Sequence, residues 1–362
     1  MELKDLSIQE KIGQMIIIGM DTNYITDRIK TMITKYKIGG IILYRKNFST
    51  YDKMLELIQQ LKDLNKCNKI PLFVAIDQEG GRVNRIPLEI TNLPSANKIA
   101  SQEDEYLVEK SAELTGELLK KSGFNLNFAP VLDIKNFSNE HAIGDRCFGN
   151  DKESVAKYGI ATMKALQKQG IISVIKHFPG HGSTTKDSHY FLPIITKNFK
   201  DLENEDMYPF EQAIKNGADC LLVGHLLLKN ITGFYPASLS RKFIYKYIRK
   251  KYKYNGVIFT DDLKMRAIKF LYGSVNSVIK AFYAGNDIII FRFNKDEEKN
   301  AIEKILKLVN SGKIKESRIN RSVKRIINLK LKYNVTDTMP NTKLDIDTFN
   351  NEINKIRTKC GL

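Results

Sequence analysis

Short apolar runs bounded by turn residues recur along the chain and predict a series of buried β-strands. Each run is followed by a stretch in which apolar residues recur at helical spacing. This alternation predicts a parallel sheet with right-handed crossovers, and eight such units predict a closed (β/α)8 TIM barrel. A doubly wound open sheet is the alternative. The eight predicted strands cover residues 14–20, 40–44, 72–76, 126–132, 172–175, 220–223, 257–259 and 287–291.

The pattern also marks helix boundaries and the end of the barrel. Ser101 and Asp104 resemble the start of a capping box, which predicts a helix that begins at Ser101. Towards the C-terminus the pattern changes to a polar linker, and residues 345–358 predict one short helix. We therefore predict a single-domain α/β protein. Its barrel covers residues 1–333, and a C-terminal linker and short helix cover residues 334–362.

Titratable residues directly follow most of the predicted strands. Catalytic groups of such barrels lie at the C-terminal ends of the strands, so these residues predict one functional site. The opposite ends of the strands show no comparable cluster in the sequence. The residues at the C-terminal ends are Asp77, Glu79, Arg82, Asp133, Asp145, Arg146, Lys176, His177, His225, Asp261, Asp262 and Arg292.

The most concentrated chemistry lies in residues 176–189, which read KHFPGHGSTTKDSH and contain three of the five histidines. The segment follows a predicted buried strand, where a plain turn would be enough for packing, and this indicates a functional loop. Asp187 and His189 are two residues apart, so the carboxylate can orient the imidazole and support its protonated form. Gly180 and Gly182 provide a hinge for closure over a substrate.

Composition limits the classes of function. The 362 residues carry a net charge of +17, but the lysines are spread along predicted helices and no nucleic-acid-binding motif accompanies them. Weak attraction to an anionic substrate or surface fits this charge better than nucleic-acid binding. The four cysteines are scattered, and neither a signal peptide nor a membrane span is predicted. We expect a cytoplasmic monomer with reduced thiols and no nucleic-acid partner.

Metal-dependent barrel hydrolysis and nucleotide binding are the alternatives from other enzyme classes. Three histidines in one loop suggest zinc, but they do not match HExxH, and no His-x-His pair ends an early strand. The glycines at residues 80–81 and 180–182 match neither GxxxxGK[ST] nor GxGxxG. A basic nucleic-acid-binding protein is the alternative without catalysis. We expect neither a metal nor an organic cofactor.

Three segments together resemble glycoside hydrolase family 3, and in particular its β-N-acetylglucosaminidases. They are KHFPGHG followed by DSH within residues 176–189, IDQEGGRVNR at residues 76–85, and GVIFTDDLKM at residues 256–265. The first segment is the most specific of the three. The similarity covers roughly residues 5–333, without the second α/β domain that some relatives have.

The resemblance implies a retaining hydrolase that removes non-reducing terminal N-acetylglucosamine from a carbohydrate, either peptidoglycan fragments or chitin oligosaccharides. It implies that Asp261 is the nucleophile, His189 the acid/base and Asp187 the partner of His189. Asp262 competes by proximity, but neighbours on a strand point to opposite sides, so we expect only one of the pair to face the site. A family 3 β-glycosidase of other specificity and an N-acetylglucosaminide phosphorylase are the alternatives within the family. The residues implied in sugar binding are Asp77, Arg85, Arg146, Lys176 and His177.

Overall fold

The computed structural model describes residues 3–135, 143–184 and 192–362. Eight parallel strands form one sheet in which each strand pairs with the next along the chain, and the last strand pairs with the first. This is the (β/α)8 barrel that the sequence predicts. The strands are β1 (Ile16–Gly19), β2 (Gly40–Leu43), β3 (Phe73–Ile76), β4 (Leu126–Asn127), β5 (Ile172–Phe178), β6 (Cys220–Val223), β7 (Val257–Thr260) and β8 (Ile289–Phe291).

The final strand closes the barrel against both of its neighbours. On one side, β8 pairs in parallel with β1. On the other side, a bridge joins Phe259 of β7 to Ile288, the residue before β8. The amide of Ile288 donates to the carbonyl of Ile258 over 3.0 Å, and the amide of Thr260 donates to the carbonyl of Ile288 over 3.0 Å. These bonds exclude the open sheet that was the alternative.

Two strands differ from their predicted bounds. Regular pairing in β4 stops at Asn127, and Pro130, which has no amide to donate, follows shortly after it. One further bridge joins Val131 to Lys176. β5 is longer than predicted and has an irregular register against β6. As a result, Lys176 and His177 lie on the strand itself and not on the loop behind it.

Helices surround the barrel, and capping side chains set several of their starts. Asp104 is the N-cap of the helix Glu105–Lys121, since its carboxylate accepts the amide of Leu107 over 3.2 Å. The predicted start at Ser101 is wrong, because Ser101 is the C-cap of the short helix Ala96–Ala100. In the described ranges, no helix combines the length and hydropathy that a membrane span requires. The α-helices span Ile8–Gln14, Asp27–Thr34, Tyr51–Asn65, Ala96–Ala100, Glu105–Lys121, Lys152–Lys168, Phe199–Asn204, Tyr208–Lys215, Lys229–Thr232, Arg266–Tyr272, Ser274–Ala284, Lys295–Asn310, Glu316–Lys332 and Ile346–Lys359, and a π-helix spans Phe243–Lys251.

The N-terminal ends of β7 and β8 carry a group of polar side chains, here called the basal cluster, in which Asp287 and Ser322 are buried and Arg249, Arg318 and Arg325 are partly buried. The fully buried carboxylate of Asp287 pairs with Arg249 and, over 3.3 Å, with Arg325. The same carboxylate accepts the hydroxyl of Ser322 over 2.6 Å, and Arg318 donates to that hydroxyl over 2.7 Å. The expectation that this end has no comparable cluster is therefore wrong.

The helix Glu316–Lys332 crosses the N-terminal end of the barrel. Its middle contributes to the basal cluster, and its last turn reaches the opposite side of the barrel. There the buried ammonium of Lys330 donates to the side-chain oxygen of Gln14 over 2.8 Å. It also donates to the carbonyls of Gly39, over 3.1 Å, and Pro71, over 2.7 Å. These acceptors precede β1, β2 and β3, so the helix closes the floor of the barrel.

The C-terminal helix Ile346–Lys359 packs on the loop that follows β3. The side-chain oxygen of Asn350 accepts the amide of Thr91 over 2.7 Å, and its side-chain amide donates to the carbonyl of Glu89 over 2.9 Å. The apolar residues on one face of the helix are buried, namely Phe349, Ile353 and Ile356.

Candidate active site

A cavity of about 670 Å³ opens at the C-terminal ends of the barrel strands. Volumes of this size are typical of small-molecule sites. Two of the predicted site residues, Asp187 and His189, lie outside the described residues. The cavity is lined by the other six, namely Asp77, Arg85, Arg146, Lys176, His177 and Asp261.

A tight turn after β3 positions the first group of these side chains. Gly80 and Gly81 have φ angles of 89° and 53°, a region that glycine occupies without a steric penalty. A Cβ atom at Gly81 would lie 2.6 Å from the side chain of Ser95. A hydrogen bond of 3.1 Å, which the amide of Glu79 donates to the carbonyl of Val83, closes the turn. The turn therefore holds the two carboxylates that precede it, those of Asp77 and Glu79, at the rim of the barrel.

Glu79 is the centre of a buried ion-pair network. Arg146 donates to both of its carboxylate oxygens over 2.8 Å, and Lys176 lies 2.6 Å from one of them. Lys176 also donates to Asp77 over 2.7 Å. Two carboxylates thus compensate two buried cations, which fixes the directions of all four side chains.

Electrostatics keep this network charged. Burial alone would raise the pKa of the Glu79 carboxyl, but the charges of Arg146 and Lys176 outweigh it and hold that pKa well below its usual range. Burial would lower the pKa of Lys176, yet the carboxylates of Asp77 and Glu79 raise it. The site therefore presents a permanent cation beside a carboxylate, an arrangement suited to binding sugar hydroxyls.

We expect Glu79→Gln to lower the free energy of unfolding by about 3 kcal/mol at pH 7, because it leaves buried cations uncompensated. The lowered pKa means that the stabilisation by Glu79 is complete above its unfolded-state pKa of about 4.3 and is lost as pH falls towards the folded-state value. Urea unfolding of the wild type and of Glu79→Gln between pH 7 and pH 3 measures this effect. The difference between their free energies of unfolding should become smaller at low pH. A difference that stays constant over this range would contradict the assignment.

Asp133 orients the two histidines that follow β5. Its carboxylate lies 2.7 Å from Nδ1 of His177 and accepts the backbone amide of His181 over 2.7 Å. A carboxylate at Nδ1 requires the proton there, so Nε2 of His177 is the unprotonated nitrogen of the neutral ring. Burial lowers the pKa of His181 and favours its neutral form. Asp133 was noted in the sequence only as a strand-end carboxylate, without a role.

Asp261 and Asp262 both line the cavity, so the expectation that only one of them faces the site is wrong. The backbone turns immediately after β7, which ends the strand alternation on which that expectation depended. The amide of Asp262 donates to the carboxylate of Asp261 over 2.8 Å, while Nε2 of His225 lies 3.2 Å from the carbonyl of Asp262. Burial raises the pKa of Asp262 to about 6.

Two arginines that line the cavity each have a buried side-chain nitrogen without a hydrogen-bond partner among the described residues, namely Nε of Arg85 and Nε of Arg292. The backbone of Arg85 is held by Gln78, whose side-chain oxygen accepts its amide over 2.8 Å. Arg292 lies 4.7 Å above the ring of Tyr44. Both guanidinium groups therefore add positive charge to the wall of the cavity.

The sequence did not assign roles to Tyr44, Glu79, Asp133, His181 or Arg292, all of which belong to this arrangement. Their position at strand ends was visible for most of them, but their partners were not. In residues 3–135, 143–184 and 192–362, no group of three or more His, Cys, Asp or Glu side chains is arranged to hold a metal ion.

A TIM barrel with fixed carboxylates and cations in a cavity at the C-terminal ends of its strands has the arrangement of a barrel enzyme's active site. A model of the glycosyl hydrolase family 3 N terminal domain matches residues 7–329. The chain belongs to this family and is a glycoside hydrolase.

Named relatives give the same result. The chain is 31% identical over 333 residues to the beta-hexosaminidase LpqI of Mycobacterium tuberculosis, covering 90% of this chain and 83% of that protein. It is 31% identical over 282 residues to a beta-hexosaminidase of Xylella fastidiosa, covering 76% of this chain and 82% of the relative. The structure of a glycoside hydrolase family 3 beta-N-acetylglucosaminidase from Paenibacillus sp. str. FPU-7 superposes with a TM-score of 0.92 at 33% identity, covering 98% of this chain and 69% of that chain.

Proposed function

We propose that the protein is a retaining β-N-acetylglucosaminidase that releases non-reducing terminal N-acetylglucosamine by double displacement. The observation that carries the proposal is the position of Asp261, a carboxylate at the end of β7 whose direction is fixed by the amide of Asp262. The names of the relatives support N-acetylhexosaminides as the substrate class. Peptidoglycan fragments and chitin oligosaccharides are the natural sources of such ends.

In the first step, a carboxylate oxygen of Asp261 bonds to the anomeric carbon while the bond to the leaving oxygen breaks. His189 gives its proton to that oxygen, and Asp187 holds the imidazole in position and stabilises its charge. In the second step His189 takes a proton from water, whose oxygen bonds to the anomeric carbon. This step releases the sugar and restores the carboxylate of Asp261.

The network around Glu79 would hold the terminal sugar during both steps. Lys176, Arg146 and Arg85 offer donors to its hydroxyls, whereas Asp77 is an acceptor. His177 presents Nε2 while Asp133 holds its other nitrogen. Because ion pairs fix most of these groups in advance, little side-chain entropy is lost when the sugar binds.

The four cysteines are scattered along the sequence without a paired motif, a usage typical of proteins in a reducing compartment, and we propose the cytoplasm as the place of action. A cytoplasmic N-acetylglucosaminidase would act on fragments small enough to have been taken up. We propose peptidoglycan fragments or chitin oligosaccharides of this size as substrates.

A panel of aryl β-glycosides, assayed with and without phosphate, tests the proposed function. We expect hydrolysis of the N-acetylglucosaminide, little turnover of the glucoside, and free N-acetylglucosamine as the product in both buffers. Formation of a sugar phosphate would instead identify a phosphorylase. Activity that is lost on exhaustive chelation and restored by zinc would favour a metal-dependent hydrolase.

His189→Ala is expected to slow substrates with poor leaving groups far more than those with good ones, because proton donation matters most for a weakly acidic leaving alcohol. Asp187→Ala should act in the same direction but more weakly, since it orients the proton donor. A plot of log kcat/KM against the pKa of the leaving phenol measures both effects. Equal losses on every substrate would assign His189 a structural role.

A further inference from the structure

His225 is a strand-end histidine that the proposed reaction does not use. It follows β6, and only 1% of its surface is exposed. In the described part of the chain, other side chains form the wall of the cavity. A buried imidazole is costly unless its nitrogens have hydrogen-bond partners, so the partners of His225 indicate what it does.

Both ring nitrogens of His225 lie at hydrogen-bond distance from another group. Nε2 is 3.2 Å from the backbone carbonyl of Asp262, and Nδ1 is 2.6 Å from the hydroxyl of Ser238. Because a carbonyl only accepts, Nε2 carries the proton, and in the neutral ring the hydroxyl of Ser238 donates to Nδ1. Ser238 is fully buried, and its own carbonyl accepts the side-chain amide of Asn286 over 2.8 Å. The direction of the ring and the nitrogen that bears its proton are therefore both fixed.

The carbonyl that His225 binds belongs to the residue that holds the proposed nucleophile. The amide of Asp262 donates to the carboxylate of Asp261 over 2.8 Å, so the position of this backbone sets the direction of the carboxylate. The carbonyl of Asp262 also accepts the amide of Met265 over 3.1 Å, which closes the turn on the side of the following helix. His225 supplies a second donor to that carbonyl from the neighbouring strand.

The backbone of this turn is bonded to both neighbouring strands. The amide of Asp261 donates to the carbonyl of Val223 in β6 over 3.1 Å, and the amide of Leu263 donates to the carbonyl of Ile290 in β8 over 3.0 Å. These bonds hold the ends of the turn without His225. Its ring adds a restraint on the peptide group between them, so its loss should move the carboxylate and leave the fold in place.

We propose that His225 is a positioning residue that sets the direction of the Asp261 carboxylate through the backbone of Asp262. Ser238 keeps the ring in place for this task. The inference rests on the proposed function, in which that carboxylate attacks the anomeric carbon. Reacting atoms must be aligned, and a misplacement of about 1 Å costs on the order of 10²-fold in rate. The side chains proposed to bind the sugar lie on or after β3, β4 and β5, so the effect falls on the rate of attack and not on the affinity for the sugar.

A slowly reacting fluorinated N-acetylglucosaminide that leaves a sugar on the nucleophile measures this attack directly. His225→Phe keeps a ring without a donor, and it should lower the rate constant of inactivation about 10²-fold while the dissociation constant of the inhibitor stays within about twofold. His225→Gln has a side-chain amide that can donate to the same carbonyl, so its rate constant should stay within about tenfold of the wild type. Ser238→Ala should lower the rate constant about fivefold, because the ring loses one of the hydrogen bonds that fix it.

The fraction of labelled molecules separates a misdirected nucleophile from a damaged fold. At completion, mass spectrometry should find the sugar on Asp261 in nearly every molecule of His225→Phe, whereas a partly unfolded variant would label only a fraction. Ser240→Ala is the matched control for Ser238→Ala. Its hydroxyl is buried and accepts the amide of Phe243 over 3.3 Å at the start of the π-helix, so its removal should leave the rate constant unchanged.

Labelling of His225→Phe at the wild-type rate would overturn the inference. A wild-type rate confined to a fraction of the molecules would do the same, because it would make His225 a residue for stability alone. If this variant does not fold, Ser238→Ala decides, and a rate constant equal to that of Ser240→Ala overturns the inference. A wild-type enzyme that neither hydrolyses aryl N-acetylglucosaminides nor takes the label on Asp261 would overturn the proposed function itself.

Discussion

Asp261→Ala should reduce kcat on aryl β-N-acetylglucosaminides by at least about 10⁴-fold, because no other group would form the covalent intermediate. We expect the variant to remain folded, since Asp261 lines the cavity and its carboxylate accepts the amide of its own neighbour Asp262. Initial rates of purified protein, with a thermal unfolding curve as the check on folding, measure the effect. A loss of less than about tenfold would contradict the assignment.

Covalent labelling gives this prediction a second readout. A slowly reacting fluorinated N-acetylglucosaminide should leave a sugar on the peptide that contains Asp261, and mass spectrometry should locate it on that residue. The competing chemistry is substrate-assisted attack by the acetamido carbonyl. Trapping of an oxazoline without a protein adduct, or a label on Asp262, would overturn the proposed mechanism.

Asp262→Asn is the matched control for Asp261. The amide keeps an acceptor for the backbone N–H of Lys264, which the carboxylate of Asp262 accepts over 2.9 Å. Burial raises the pKa of Asp262 to about 6, so ionisation of this carboxyl is harder in the folded state than in the unfolded chain. Asp262 therefore lowers the free energy of unfolding as pH rises from about 4 to about 6, and the loss remains at higher pH. Asp262→Asn should therefore be at least as stable as the wild type at pH 7. It should also keep most of the labelling at Asp261.

The largest expected effect on stability lies at the other end of the barrel. Asp287→Ala should lower the free energy of unfolding by about 3–5 kcal/mol, because the largely buried guanidinium of Arg249 and the partly exposed one of Arg325 lose a fully buried counter-charge. It also removes the acceptor of the Ile258 amide, which donates to Asp287 over 2.9 Å inside the sheet. Urea denaturation at pH 7 measures the change.

Asp52→Ala is the control for Asp287. Asp52 pairs with Lys343 over 3.0 Å, but both side chains are more than two-thirds exposed, so water screens the pair. Its removal should leave the denaturation midpoint nearly unchanged. Equal midpoints for Asp287→Ala and the wild type would show that the basal cluster contributes no net stability.

The barrel could be predicted because its strands are short apolar runs whose spacing leaves room for one helix each. β6 has the predicted bounds, since nothing local interrupts residues 220–223. β4 was less predictable because its apolar run includes Pro130, which cannot donate to the sheet. The start of one helix was misplaced for a similar reason, because Ser101 and Asp104 both suit an N-cap and only the packing of the neighbouring helix decides between them.

The sequence could locate candidate site residues, because they follow the predicted strands. It could not show which side chains they bind. Glu79 and Arg146 are 67 residues apart, and no pattern in the sequence links them. The basal cluster was missed because Arg318 and Arg325 lie on a helix rich in basic residues, which resembles a solvated face. Their burial depends on how that helix lies across the floor, a tertiary feature without a local signal.

The floor helix has a consequence for how the chain folds as it is made. Gln14 and Lys330, which hydrogen bond across the floor, are 316 residues apart. At about 5–20 residues per second, the ribosome delivers Lys330 about 15–60 s after Gln14. During that time the lower ends of β1 to β3 lack the side chain that caps them, and their apolar surface is open to chaperones or to other nascent chains. A chain that stops before Glu316 would stay in that state, so the nascent barrel depends on prompt completion of the last eighth or so of its chain.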